Sequence, residues 1–474
     1  MRQVLLLAAG ITLATVRVAS ADGARAPVPE TPPAFPGVLV VLRDLSPQSR
    51  RVRFETARAV ALREDGPAVE LRVIPPRPAG GDNPEEILWI EGSPPAGSYS
   101  GIEVSFRLAA TSAPDRGGNH ELPPRPTRVE LPFVVGANSS TVLAVALRSS
   151  VAPDSTGRFE PALEGRVRPR PTTGLLGLAS VGAWNGVALF DKRTGALATV
   201  LPVGRGPQGL AIDGERLRAY VAVSGEDAVA VLDLLEGRVR EQVPLRAGDS
   251  PRDVALAPDG RTLVVANAGS DTVSFVDPLS AIEIERVPVA GRPASLLMDR
   301  DGRRVFVLAE RSSVIAVLSL GSRSAVGAIA VESGPVRARL SGRNGERILV
   351  AQADSPYLTV VDSATLAVTQ RVYVGAGARA LEVDPRSGRI FLARRKTGRI
   401  EVFDPASFLP LEEIAVPGEV AWLEVEAEGN GLGVLLRDAA EVRIVGLMGS
   451  GTATRTPLGG EPTALRFVQG GKVP

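Results

Sequence analysis

An aspartate recurs at positions 191, 233, 277, 362 and 404, each time closing a short apolar run. Aspartate can act as an acid, a metal ligand or a turn former, and its spacing chooses among these. A catalytic acid is singular. An Asp repeated at the ends of successive strands serves the turn instead, accepting bonds from the backbone two residues on. Asp299 and Asp301, in the segment DRDG, open like a calcium loop, but no third acid or distal glutamate follows in register, so this too reads as a turn. The single histidine, His120, lies in the loop-like stretch PDRGGNHE and has no second imidazole with which to share a metal. With no cysteine at all, disulfides, thiolate nucleophiles, iron–sulfur clusters and zinc fingers are excluded. The expectation is no metal, no cofactor and no catalytic residue.

The basic residues are almost all arginine, since only Lys192, Lys396 and Lys472 are lysines among 54. They are balanced by 53 acids spread along the chain. Nucleic-acid binding needs an unbalanced basic patch or stripe, so no nucleic-acid partner is expected.

The elements that must position any site form a repeat. The segments VALFD (187–191), VAVLD (229–233), VSFVD (273–277), IAVLS (315–319), LTVVD (358–362), IEVFD (400–404) and VRIVG (442–446) are seven copies of one strand, 42 to 44 residues apart. Each period divides into four β-prone runs. In the third they are RTLVVAN (261–267), residues 272–276, IEIERVPV (282–289) and residues 294–298. Four short strands and their turns fill about 42 positions, the period of a propeller blade. The runs are β-branched, bounded by Gly and Asp, and lack a 3.6-residue period, which disfavours a helical solenoid. The first copy lacks its leading strand, and a strand of that type, EPTALRFV (461–468), stands at the far end. It is expected to complete the first blade and leave no free edge. The fold class is all-β, a seven-bladed β-propeller behind an N-terminal β-sandwich domain.

These repeats resemble the bacterial YVTN family, whose pattern runs YVAN, V-x-V-I-D, IPVG, P-x-x-hydrophobic-A and a PDG turn. The matching residues are YVAVS (220–224), VAVLD (229–233), VPL (243–245), SPRDVALAPDG (250–260) and LVVAN (263–267). The resemblance covers about residues 174–470 and departs at Ser319 and Gly446, where Asp is replaced. It implies a seven-bladed propeller in an exported or surface protein, mostly without known catalysis.

Ahead of the repeats, Met1, Arg2 and Gln3 precede an apolar run over 4–16 and the triplet Ala19, Ser20, Ala21, the pattern of a secretory signal at 1–21. That run is too short to span a bilayer, which needs about 20 apolar residues, and no later segment approaches that length. A periplasmic or extracellular protein without an integral membrane segment is expected. Residues 22–36 form a Pro-rich linker. Residues 37–166 hold seven β runs (38–42, 52–56, 69–74, 87–90, 101–108, 127–135 and 140–147) and read as a β-sandwich. A second linker, RVRPRP (166–171), sets boundaries of 167–173 for the linker and 174–474 for the propeller. The segments LRDLSP (42–47) and PPAGSYSGIEV (94–104) resemble an uncharacterised bacterial sandwich domain with the motifs LTDAP and LPAGTYxxI, which implies no catalytic residues.

Propellers bind ligands at one mouth of the channel, near the loops that enter the innermost strands. The residue after the turn proline, or its equivalent, reads Gln208, Arg252, Ala294, Val336, Arg379, Val420 and Thr463. A metal-dependent lactonase needs several carboxylates, or Asn and His, converging there, and these aligned positions offer none. Gln208, Arg252, Arg379 and Thr463 are the candidate ligand-binding residues, the two arginines being suited to an anion unless they are simply solvated. The expected function is an exported, non-catalytic binding or scaffold protein for a protein or polysaccharide partner, monomeric or part of a larger exported assembly. The alternatives are a lactonase-like hydrolase and a cofactor-free propeller subunit of a redox assembly, which the heavy chain of amine dehydrogenases resembles. Terminal sequencing of the protein recovered from an exporting host is expected to begin at Asp22, and a terminus at Met1 would refute export by this signal.

Overall fold

The computed structural model describes residues 35–44, 52–75, 86–111, 126–149, 161–426, 431–447 and 454–469. The proposed signal, most of the first linker and His120 lie outside the described residues. Seven four-stranded antiparallel sheets follow one another in the chain from residue 176 onward. They are the seven blades. The innermost strands of blades two to seven are Pro207–Asp213, Pro251–Leu256, Pro293–Met298, Pro335–Ser341, Ala378–Val383 and Val420–Glu426. Blade one takes its innermost strand from the end of the chain: Pro462–Phe467 pairs antiparallel with Leu176–Val181, as the sequence implied.

The second and third strands of each blade lie between neighbouring blades and are buried on both faces. Arg218–Val223 and Ala228–Asp233 are buried along almost their whole length. Such strands read as continuous apolar runs. That is why VAVLD and its copies stand out in the sequence. The cores are shared between blades: Tyr220, Val229 and Val231 of blade two pack with Val254, Leu263 and Val276 of blade three. The outermost strands of blades two to six carry the exposed residues.

The repeated aspartate closes the turn into the outermost strand. One carboxylate oxygen accepts the backbone N–H two and three residues on, at 2.9 and 2.9 Å for Asp191, 3.0 and 2.8 Å for Asp233, and 3.0 and 2.8 Å for Asp404. The same bonds hold the carboxyls of Asp277, Asp362 and Asp404 below the usual range, through Leu279, Thr365 and Ser407 respectively. Asp299 likewise accepts from the N–H groups of Arg303 and Arg304, at 2.7 and 3.1 Å.

The N-terminal region is one sheet of eight strands: β1 (Val38–Asp44), β2 (Val52–Arg63), β3 (Val69–Val73), β4 (Glu86–Gly92), β5 (Gly97–Thr111), β6 (Thr127–Val135), β7 (Thr141–Ser149) and β8 (Pro161–Val167). Their order is β6-β5-β2-β3-β4-β1-β7-β8, antiparallel except for β1 with β7. The sheet curls until its two ends meet. At Gly165 in β8 a methyl group would stand 2.9 Å from the side chains of Val129 and Leu131 in β6, so any larger residue would require those side chains to give way. Val38, Val40, Trp89, Tyr99, Phe133 and Leu143 fill the enclosed core. This is a sandwich-like arrangement with one strand more than the seven expected. The extra strand takes in Arg166 and Val167 of the expected second linker. Arg168 continues the connection, its N–H bonded to the Val142 carbonyl at 2.9 Å and its guanidinium to Glu86.

The other face of this sheet is not free. Leu39, Val41, Leu88 and Val142 join Trp184, Val200 and Leu201 of blade one in a common core. Ser140 N–H bonds the Val200 carbonyl at 2.9 Å, and Trp184 Nε1 donates to Glu91 at 3.0 Å. The outermost strand of blade one, Leu197–Pro202, is therefore buried. Among the described residues no helix is long and apolar enough to cross a membrane.

A carboxyl held below its unfolded value stabilises the fold above about pH 4, and that contribution is lost as the pH falls through the folded value. Asp277→Ala is accordingly expected to lower the thermal midpoint at neutral pH. The gap to wild type should narrow in melts taken on the acid side of that value, and a gap independent of pH would remove the turn role.

Candidate functional site

Every innermost strand begins at the mouth with the same irregularity. Its first residue pairs with the end of the second strand, and the register shifts immediately afterwards, between Pro251 and Asp253, Pro293 and Ser295, Pro335 and Arg337, Ala378 and Ala380, and Pro462 and Ala464. Blade two shifts between Pro207 and Leu210. A bulge leaves one residue out of the ladder and re-aims its side chain. Those residues are Gln208, Arg252, Ala294, Val336, Arg379 and Thr463, and together they line one cavity of about 380 Å³ at the channel mouth.

Blade seven corrects the expected ring. Its shift lies between Val420 and Trp422, so Val420 is the equivalent of the turn proline and Ala421 takes the ring position. Val420 is buried in the core between blades six and seven. Blade seven has no proline to mark the strand start, and the count there falls one residue short, whereas blade six, which begins at Ala378, is placed correctly.

The bulges also bring a second layer to the channel: Asp253, Ser295, Arg337 and Trp422. Arg337 Nη1 donates to Ser295 Oγ at 2.9 Å, stands 3.9 Å from Asp253, and lies with its guanidinium carbon 3.7 Å from the Trp422 ring centre. Burial pushes this guanidinium down to about 9, with Asp253 acting the other way, so it stays cationic at neutral pH. Asp253 accepts the N–H groups of Val254 and Leu296, one on each oxygen, at 3.0 Å each. A methyl group on Gly209 would come within 2.1 Å of Asp253 Oδ1, which requires glycine there.

Below lies a third layer. Arg339 donates to both oxygens of Glu382 at 3.0 Å, and Arg466 pairs with Glu424 at 2.7 Å while its guanidinium carbon sits 4.6 Å from Trp422. Burial raises the Glu382 carboxyl even though Arg339 opposes it. Burial also acts against the charge of Arg339, but Glu382 and Glu424 together hold that guanidinium above its ordinary value.

At the rim, Glu310, Arg437 and Glu461 complete the lining. Glu310 and Arg437 each follow the second strand of their blade, a position that repeats every 42 to 44 residues, and Glu461 precedes the turn proline of the closing strand. Arg252 pairs with Glu310 at 3.2 Å. Arg379 pairs with nothing among the described residues, and its Nε is buried without a partner. Burial lowers its affinity for a proton, and the nearby charges of Arg437, Arg395 and Arg252 lower it further, against Glu419. The mouth thus holds carboxylates that the aligned positions did not show. No three or more His, Cys, Asp or Glu side chains among the described residues are grouped to hold a metal ion.

Residues 190–386 match the family model described as YNCE-like beta-propeller. No curated protein matches the chain. Solved structures share the fold at low identity. A putative 6-phosphogluconolactonase from Bacteroides uniformis is 15% identical, with 62% of this chain and 100% of that one covered and a TM-score of 0.52. Dihydro-heme d1 dehydrogenase NirN is 14% identical over 70% of this chain and 80% of that one, TM-score 0.49. Kuenenia stuttgartiensis hydrazine synthase is 20% identical over 54% and 87%, TM-score 0.48.

A buried ion pair broken on one side leaves an uncompensated charge. Glu382→Ala is expected to destabilise the protein by about 3 kcal/mol. Replacing Arg339 and Glu382 together by Met and Leu should recover most of that loss in chemical denaturation, and a double-variant loss equal to the sum of the losses in Arg339→Met and Glu382→Leu alone would show that the pair is not coupled.

Proposed function

We propose that this protein is an exported, non-catalytic binding or scaffold protein that uses the mouth face of its propeller to hold a protein or polysaccharide partner. The observation that carries this reading is the state of the carboxylates at the mouth. A hydrolase of lactonase type needs an acid free to hold a metal or move a proton. Here Asp253 has both oxygens on backbone N–H groups, Glu310 is drawn to Arg252, and Glu461 at the rim belongs to no group of three or more acids among the described residues that could hold a metal. The first two of these acids position arginines. Arginines that line a preformed concave mouth favour recognition over acid–base chemistry.

A second feature lies on the same face. Tyr357 and Tyr373 stand opposite each other at the mouth end of blade five, their rings 5.9 Å apart and edge to face, with Tyr373 72% exposed. Exposed aromatic side chains supply contact area at little entropic cost and are enriched where proteins meet partners. Propeller folds commonly mediate such contacts, and the solved neighbours share the architecture alone. Export rests on the pattern at residues 1–21.

The test is to immobilise the mature protein and capture partners from the exported fraction of its source. One saturable partner should be retained by the wild type and lost with the Tyr357→Ala, Tyr373→Ala double variant. Hydrolysis of simple lactones by the purified protein, with no partner retained, would contradict the reading.

A further inference from the structure

We propose that the channel mouth is a binding site for a single oxyanion, a carboxylate or phosphate group, clasped by Arg379 with Arg437 beside it. This deepens the recognition reading above and rests on it. The charged groups of the cavity lining are not equivalent. Arg252 is drawn to Glu310, which also faces Arg292 at 4.0 Å. Arg337 is held by Ser295 and the face of Trp422, with Asp253 nearby. Glu461 sits on the blade-one side of the rim. Arg379 alone combines a side chain aimed into the cavity by its bulge with a buried Nε that has no acceptor.

Leaving a buried donor unmade is costly, and a buried charge without a partner more so. A guanidinium presents a planar fork that matches two oxygens of a carboxylate or phosphate. Arg437 and Arg395 add positive charge around it rather than relieving it. An incoming oxyanion would meet the side of the guanidinium that faces the cavity and offset that repulsion. A volume of about 380 Å³ admits a small dicarboxylate, or the charged terminus of a larger chain. Trp422 and Arg337 form the wall beneath, so the group stays at the mouth and does not enter the channel.

The arrangement has a consequence that a purely structural arginine would not share. Removing an unpaired buried charge relieves strain, so Arg379→Gln should not lower the thermal midpoint of the protein in anion-free buffer. The same change should weaken binding. With succinate and inorganic phosphate titrated separately in low-salt buffer, wild type is expected to bind at least one of them saturably by calorimetry, with a rise in thermal midpoint. Arg379→Gln should weaken that by about tenfold or more, the usual effect of losing a charge-assisted bond. Arg252→Gln should weaken it less, and Arg58→Gln, far from the mouth, should leave it unchanged. Succinate alone would identify a carboxylate site, and phosphate alone a phosphate site. Failure of both anions to bind wild type overturns the proposal, as does an Arg379→Gln variant that binds within twofold of wild type. If neither anion binds while the tyrosine-dependent capture stands, the oxyanion site falls and the recognition face remains.

Discussion

The strand Pro462–Phe467 lies against Leu176–Val181, and the rest of the molecule depends on that pairing. No blade encloses a core of its own; each buries its middle strands against the next. In such an array stability is a sum of shared interfaces, and an open ring would expose two of them at once. The closing strand removes both. It also carries Leu465 and Phe467 into the core at the seam and sets Thr463 and Arg466 in the mouth and channel. The N-terminal sheet reinforces the same place by burying the outer strand of blade one. Local contacts thus converge where the two ends of the ring meet.

The mouth follows from a second constraint, the bulge at the head of each innermost strand. Without it, strict alternation would send successive side chains to opposite faces of the blade. With it, adjacent positions such as Arg252 and Asp253, or Ala421 and Trp422, line the same cavity. Charges brought this close in a narrow channel must be matched. The lower layers meet that condition through Arg339 with Glu382 and Arg466 with Glu424. The rim leaves it unmet at Arg379, which makes that residue the point where the fold is open to a ligand.

Much of this was legible in the sequence because burial on both faces forces a strand to be apolar throughout. The seven copies of VAVLD type, the turn role of Asp277 and its equivalents, and the closing strand all show in residue types and spacing. So did six of the seven ring positions. Val420 failed because its strand starts one residue later than the count assumed, with no proline to fix the register. Glu310, Arg437 and Glu461 lie at two other repeat positions, after the second strand and before the turn proline, which an alignment on the residue after the proline leaves out. Strand β8, PALEGRV, was hidden by its polar residues and by the prolines that follow. The docking of the N-terminal sheet had a signal, since VLVVL at 38–42 is apolar at every position and not at alternate ones. A strand with one face in solvent does not read that way.

Native-state hydrogen exchange on the full-length protein tests the closure most directly. The amides of Leu176–Val181 and of the closing strand are expected to exchange only with global unfolding. Leu465→Ala should raise their exchange together with that of Val420–Glu426 across the seam. A closing strand that exchanges faster than the middle strands of blades three to five, leaving their protection unchanged, would contradict the account.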